Sequence, residues 1–270
     1  MDSLPRAQVT VTTLQKMKQR SEKIAVVTSY DASFTTLLER AKVDVILVGD
    51  SLGMVVQGRD STVGVSMDDM VYHCACVARG GESALRIADF PFMSYSSVDQ
   101  ALENAAKLMR EGQAHMVKLE GGEVNLKSVE AITGFGVPVC GHLGLLPQSV
   151  NKLGGYRVQG RDDASAQQLI SDARALEAAG AALLVLECVP VDLARQVTEA
   201  LTIPTIGIGA GVDCDGQVLV LYDLLGITPG KRPSFSRNFL AGQSDIQSAL
   251  VSYVQAVKAS EFPAKEHGFS

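Results

Sequence analysis

Short apolar runs rich in β-branched residues recur along the chain at 24–28, 45–48, 85–88, 116–119, 137–141, 183–186 and 205–208. Longer stretches with helix punctuation separate them. Strands joined by crossover helices run parallel, so this alternation predicts a series of βαβ units. Ser66, followed three residues later by Asp69, opens one crossover helix as a capping-box-like pair, and the Ala/Leu-rich stretch 164–179 ends another at Gly180. Residues 218–221 predict an eighth strand and 245–259 a closing helix. A chain of 270 residues with 46% hydrophobic content suits one large core, without a linker or internal repeat to divide it. The expected fold class is α/β, a single-domain (β/α)8 TIM barrel over 1–270 with an N-terminal helical extension; a doubly wound open sheet is the alternative.

The ionisable residues favour the barrel. Asp50, Asp89, Glu120 and Glu187 each follow an apolar run, and His142 follows another. In a parallel α/β barrel the carboxyl ends of the strands form one face, where residues distant in sequence converge. Side chains alternate along a strand, so Lys118 and Glu120 share one face while Val117 and Leu119 turn toward the helices. Lys118 should therefore point into the same site. Taken singly, several have a structural reading: Asp50 could order a turn or cap a helix, Asp89 before Phe90-Pro91 could start a turn, and Glu120 beside Gly121-Gly122 could be solvated. Lys118 and Glu187 resist that reading, because a charge embedded in an apolar run needs a partner.

Several carboxylates without a matching cysteine and histidine cluster favour a hard, oxygen-seeking cation such as Mg²⁺ over structural zinc. Such an ion chelates the carboxylate and keto oxygen of a 2-oxo acid, and its Lewis acidity is worth on the order of several kcal/mol to an enolate. A separate base must then take the carbon-bound proton. Glu187 suits that role, since an apolar setting raises a carboxyl pKa. Gly207, Gly209 and Gly211 lack the spacing of a dinucleotide fingerprint and predict tight backbone packing, with no nucleotide cofactor. Cys74 and Cys76 would face different ways on a helix and read as packing residues. His73 and His115 read as structural.

A formal net charge of -6 provides no general attraction to nucleic acid or an anionic membrane, so small molecules are the expected partners. Five cysteines, an odd number placed mostly in apolar stretches, suit reduced buried thiols and a reducing compartment. No apolar run approaches a membrane span, and Met1 to Arg20 lacks the apolar block of a secretory signal. The expectation is a cytoplasmic enzyme.

At these same residues the sequence resembles the ketopantoate hydroxymethyltransferase family. The likeness runs through Thr28-Ser29-Tyr30-Asp31, Val48-Gly49-Asp50-Ser51-Leu52-Gly53-Met54, Ala88-Asp89-Phe90-Pro91-Phe92 and Val117-Lys118-Leu119-Glu120-Gly121-Gly122. It continues, in order, through Pro138-Val139-Cys140-Gly141-His142-Leu143-Gly144-Leu145, Gly154-Gly155-Tyr156-Arg157-Val158-Gln159-Gly160, Leu186-Glu187-Cys188-Val189-Pro190 and Ile206-Gly207-Ile208-Gly209-Ala210-Gly211. The resemblance implies Asp50 and Asp89 as magnesium ligands, with Glu120 in the same metal site. It implies Ser51 and Lys118 as binders of the 2-oxo acid, His142 as a pocket residue, and Glu187 as the proton acceptor. The implied substrate is α-ketoisovalerate, the implied one-carbon donor methylenetetrahydrofolate, and the implied product ketopantoate, on the route to pantothenate. A homo-oligomer, typically a decamer, is also implied. Leu146 departs from the family pattern, which carries threonine there, and any polar contact of that threonine is lost. Two other readings remain: a phosphoenolpyruvate mutase or isocitrate lyase type of barrel enzyme, and a noncatalytic sensor of oxo acids. The two long blocks beginning at Gly141 and Gly154 favour the transferase over the first, and the full set of ionisable residues argues against the second.

Overall fold

A computed structural model describes residues 6–155, 157–228 and 230–270, with Leu153 described by its backbone alone. Tyr156 of the glycine-rich block and the first five residues of the opening segment lie outside the described residues. Eight parallel strands form the centre: β1 (Ile24–Thr28), β2 (Val45–Val48), β3 (Leu85–Asp89), β4 (Met116–Glu120), β5 (Val139–Gly144), β6 (Leu183–Glu187), β7 (Thr205–Ile208) and β8 (Gly216–Leu219). Each pairs with its neighbours in sequence, and β1 closes on β8. The molecule is a (β/α)8 barrel, and the open-sheet alternative is excluded.

Eleven α-helices are seen among the described residues: α1 (Val11–Gln19), α2 (Ala32–Arg40), α3 (Leu52–Val55), α4 (Met67–Ala78), α5 (Val98–Arg110), α6 (Leu126–Gly134), α7 (Val150–Leu153), α8 (Asp163–Ala178), α9 (Val191–Ala200), α10 (Leu221–Leu225) and α11 (Ile246–Lys258). The starts of α1, α2, α4, α5, α8 and α11 are set by side-chain oxygens that accept from otherwise orphaned N–H groups. Ser66 and Asp69 form the expected capping box of α4. Asp31, Ser97, Asp162 and Asp245 cap α2, α5, α8 and α11 in the same way. Gly180 follows α8 at a φ of 101°, a left-handed conformation that stops the helix.

Two strands depart from the sequence reading. β5 begins at Val139 and not at residue 137, since Pro138 has no N–H for the ladder. β8 begins at Gly216, two residues ahead of its expected start, and Val220 already caps α10. A side chain at Gly216 would meet the Ile24 carbonyl oxygen at 2.4 Å, so the close β1–β8 seam requires a glycine that hides the strand's apolar signal. Tyr253 of α11 ties that seam, its hydroxyl lying 2.9 Å from both the Val26 and Gln217 carbonyls.

Strand alternation sorts the core into two layers. Ala25, Val27, Ile46, Val117 and Leu119 face outward against helix residues such as Leu38, Leu108, Ile132, Leu176 and Leu250. Ile24, Val26, Val45, Leu85, Met116 and Leu183 face the barrel axis, where Val9, Leu14 and Met17 join them. The α1 segment therefore closes the amino end of the barrel. Burying a side chain such as Leu14 contributes about 1.5–3 kcal/mol. The carboxyl ends are left to the polar groups.

Candidate active site

Those carboxyl ends open on one cavity of about 560 Å³, lined by Asp50, Ser51, Asp89, Lys118, Glu120, His142 and Glu187, all the residues expected from sequence. Asp89, Glu120 and Glu187 are the last residues of β3, β4 and β6, and Asp50 follows β2 by two positions. His142 lies within β5, which runs two residues further, in register with Glu120. Lys118 and Glu120 face inward while Val117 and Leu119 pack outward, as alternation requires.

Lys118 Nζ lies 2.6 Å from Asp89 Oδ1, both side chains only 4% exposed. Asp89 Oδ2 accepts from the Asp50 N–H at 3.1 Å. His142 stands between two carboxylates, Nδ1 3.6 Å from Glu120 Oε1 and Nε2 3.2 Å from Glu187 Oε2. Neither ring nitrogen is aligned for a hydrogen bond, so these contacts are ion-pair approaches. Glu187 consequently has a cationic neighbour where the apolar run around it had suggested a purely apolar setting. Its backbone is held from behind: Leu145 N–H donates to its carbonyl at 2.8 Å, and a Cβ on Gly144, at φ 93°, would meet that carbonyl oxygen at 2.2 Å. Gly144 is thus a close-approach glycine. Cys188 next in line takes a left-handed φ of 47°, which sharply turns the chain after the glutamate.

Two residues escaped the sequence reading. Gln148, 5% exposed, donates from Nε2 to Asp50 Oδ2 at 2.9 Å and to the Phe90 carbonyl at 2.8 Å, while its backbone N–H donates to Glu120 Oε2 at 3.0 Å. Tyr95 OH donates to Gln148 Oε1 at 2.7 Å and so fixes which end of the amide faces Asp50. The only sequence signal was a polar residue after Leu145-Leu146-Pro147. On the other flank, Tyr30 OH and Ser51 Oγ are 2.8 Å apart.

The electrostatics show too little positive charge. Burial, with the negative charges of Asp89 and Glu120, pushes the Asp50 carboxyl well above its ordinary range. Burial also raises Asp89, against the pull of Lys118. Burial acts against Glu120 as well, but His142, Lys118 and the Gln148 N–H outweigh it and hold that carboxyl low. Burial opposes charge on Lys118 too, yet Asp89, Glu120 and Asp50 keep its pKa raised. Burial and Lys118 likewise oppose a charged His142, but Glu120 and Glu187 prevail and raise it to about 9.

Among the described residues, no three His, Cys, Asp or Glu side chains converge into a complete ligand set. A magnesium ion commonly uses one or two carboxylates and fills its other positions with waters and substrate oxygens. Asp50 and Asp89, adjacent and both raised chiefly by burial, have the chemistry for it. Glu120 meets His142 through Oε1 and the Gln148 N–H through Oε2, and each oxygen keeps a further lone pair. The weaker sequence signals are accounted for by packing and pairing: His73 Nδ1 lies 2.7 Å from the Tyr30 carbonyl, His115 meets Arg86, and the Gly207, Gly209 and Gly211 positions are crowded by Cys214, Phe235 and Val191. Cys74 is buried and Cys76 half-buried, and no helix among the described residues is long and apolar enough to cross a membrane.

A (β/α)8 barrel with buried carboxylates, a lysine and a histidine gathered at its strand ends has the architecture of an enzyme. The chain matches the ketopantoate hydroxymethyltransferase family over residues 8–265. It is 60% identical to a 3-methyl-2-oxobutanoate hydroxymethyltransferase of Nitrosococcus oceani, with 96% of this chain and 98% of the relative covered. It is 59% identical to one of Marinobacter nauticus, with 97% and 98% covered. The chain belongs to the ketopantoate hydroxymethyltransferase family. Solved structures of similar fold include a 2,3-dimethylmalate lyase of the PEP mutase/isocitrate lyase superfamily, at TM-score 0.57 and 15% identity over 94% of this chain and 98% of that one. A phosphonopyruvate hydrolase aligns at TM-score 0.62 and 13% identity over 93% and 95%. At such identities the likeness is one of fold alone.

Proposed function

We propose that the protein transfers a hydroxymethyl group from methylenetetrahydrofolate to 3-methyl-2-oxobutanoate, giving ketopantoate for pantothenate synthesis. The observation that carries this reading is the convergence of Asp50, Asp89, Lys118, Glu120, His142 and Glu187 on one cavity in a chain of this family. A Mg²⁺ ion held by Asp50 and Asp89, with Glu120 beside them, would supply Lewis acidity to the substrate oxygens. Lys118, kept cationic by its carboxylate neighbours, places positive charge where the enolate oxygen develops. Ser51, with its hydroxyl against Tyr30, binds the substrate carboxylate.

Glu187 accepts the proton from C3 of the oxo acid, and His142, 3.2 Å away, orients its carboxylate. C3 then forms a bond to the methylene carbon of the donor. As it does so, that carbon's bond to one folate nitrogen breaks; water then replaces its bond to the second nitrogen and becomes the new hydroxyl, the proton held by Glu187 and the proton lost by water pass to the two nitrogens, and tetrahydrofolate leaves. The cluster argues against a sensor role, since a site built only to bind has no use for a base at the carbon-bound proton. By the same family resemblance, the enzyme works in the cytoplasm as a homo-oligomer, a decamer, which light scattering on a sizing column tests.

The deciding assay is ketopantoate formation with and without Mg²⁺, for the parent and for Glu187→Gln. Metal-dependent product that falls about 10²–10⁴-fold in a folded Glu187→Gln supports the reading and its base. No product from the folded, magnesium-loaded parent sinks it.

A further inference from the structure

The cavity has a second half that the oxo-acid chemistry leaves unused. An oxo acid of about eight heavy atoms needs roughly 240 Å³ even if each atom is allotted the ~30 Å³ of a liquid water. The cavity has about 560 Å³. The ionisable groups already described stand on or just after β2 to β6, and another part of the wall, with Val218, Val220, Asp223, Thr228 and Phe235, is built on β8 and the segments after it.

Asp223, in α10 past β8, lines that wall and is 6% exposed. The Thr228 hydroxyl donates to its Oδ1 at 2.6 Å, and among the described residues Oδ2 receives no hydrogen bond. Beside it, after β7, Gly209 sits at φ 62° with Phe269 and Phe235 ring atoms 3.0 and 3.1 Å from where its Cβ would be. The Phe269 carbonyl accepts from Val191 N–H at 2.9 Å, which anchors this aromatic at the mouth. Lys231, and across the opening Arg157 from the segment between α7 and α8, are both exposed lining residues. Ring faces, a half-satisfied buried carboxylate and two rim cations are three different demands, and one ligand class meets them together. A reduced pterin offers adjacent N3–H and 2-amino donors to a carboxylate, a flat ring to aromatics, and an anionic glutamate tail to basic side chains.

We propose that the β7–β8 half of the cavity seats the reduced pterin of the one-carbon donor, with Asp223 accepting from the ring, Phe235 and Phe269 packed on it, and Arg157 and Lys231 meeting the tail carboxylates. The inference rests on the donor named above. It places Glu187, on β6, at the border between the two halves, where the carbon that loses its proton must meet the incoming methylene.

Tetrahydrofolate binding to the magnesium-loaded full-length protein is measured by calorimetry for the parent, Asp223→Asn and Arg157→Gln. In parallel, proton NMR in D₂O follows exchange of the oxo acid's C3 hydrogen in the absence of folate. Asp223→Asn, which replaces an acceptor with a donor facing the ring donors, should weaken tetrahydrofolate at least tenfold and leave C3 exchange within twofold. Arg157→Gln, on an exposed side chain that does not threaten folding, should weaken tetrahydrofolate about threefold, and a polyglutamylated form more. Unchanged tetrahydrofolate affinity in both variants overturns the subsite while the donor stands. Loss of C3 exchange in Asp223→Asn also overturns it, by placing Asp223 with the oxo acid. A parent that exchanges the C3 hydrogen but does not bind tetrahydrofolate overturns the donor itself.

Discussion

The two ends of this barrel treat buried carboxylates in opposite ways. At the amino end, Asp44 pairs with Arg6 and with Lys258 at 2.6 Å and accepts from the Ala25 N–H at 2.9 Å; Asp215 pairs with Lys18 at 2.7 Å and accepts from the Thr205 N–H at 2.8 Å. Each of these two carboxylates has a cation and a backbone donor. At the carboxyl end, Asp50, Asp89, Glu120 and Glu187 share Lys118 and His142. Among the described residues the Asp50 side chain accepts a hydrogen bond only from an amide, and burial together with its acidic neighbours pushes it upward. One end satisfies its charges with its own chain, and the other holds a deficit that an incoming cation and substrate can fill. Stability is concentrated at the first and reactivity at the second.

The largest effect expected from breaking this contrast is at Asp44. Asp44→Ala leaves Lys258 and the Ala25 N–H short of a partner at a position 1% exposed, and should cost about 3–5 kcal/mol. Urea unfolding measures that loss, and the transfer rate per folded molecule should stay within twofold. A comparable loss of turnover would mean that the two ends are not separable.

A smaller effect, of about 2–4 kcal/mol, is expected from the pH dependence of His142. Its folded pKa, about 9, lies above the ordinary 6.5, so its ion pairs contribute fully below about pH 6.5 and fade as pH rises through 9. In metal-free protein, the stability difference between parent and His142→Gln should shrink over that window. A difference that stays flat from pH 6 to 10 removes the charged histidine from the account.

Much of this contrast was legible beforehand. The periods of the apolar runs place β1, β2 and β7 to the residue, and the Ser66–Asp69 helix start follows from capping chemistry alone. Period-two alternation sends Lys118 and Glu120 inward because it is a local property of a strand. Properties set by the neighbour across the barrel were not legible. Glu187 sits in an apolar run, yet its closest charged contact comes from β5. Gln148 and Tyr95 reach the site from loops whose paths depend on the completed barrel. Asp223, Phe235 and Phe269 follow the last strand in segments with no periodic pattern to mark them. The β8 start was obscured because its packing required glycine where a strand signal would otherwise stand.

The smallest effect is the most discriminating, because its sign is opposite at the two ends. Asp50→Asn keeps the size of the side chain, and its amide oxygen still accepts from Gln148 Nε2. It removes a carboxylate that burial, Asp89 and Glu120 all penalise. Without metal at pH 7–8, the variant should be more stable than the parent by about 1 kcal/mol, within the 0–4 kcal/mol range for relieving an ill-compensated buried charge. That gain should begin to shrink as pH falls through the raised pKa and vanish near the ordinary carboxyl value of 3.8, where the unfolded chain is protonated too. Added Mg²⁺ should reverse the order, since a ligand stabilises only the state that binds it and the variant has lost a donor. Thermal melts with chelator and with saturating Mg²⁺ measure both quantities. If Asp50→Asn destabilises the metal-free protein, as Asp44→Ala should, the carboxyl end holds no electrostatic deficit and the case for a cation between Asp50 and Asp89 falls with it.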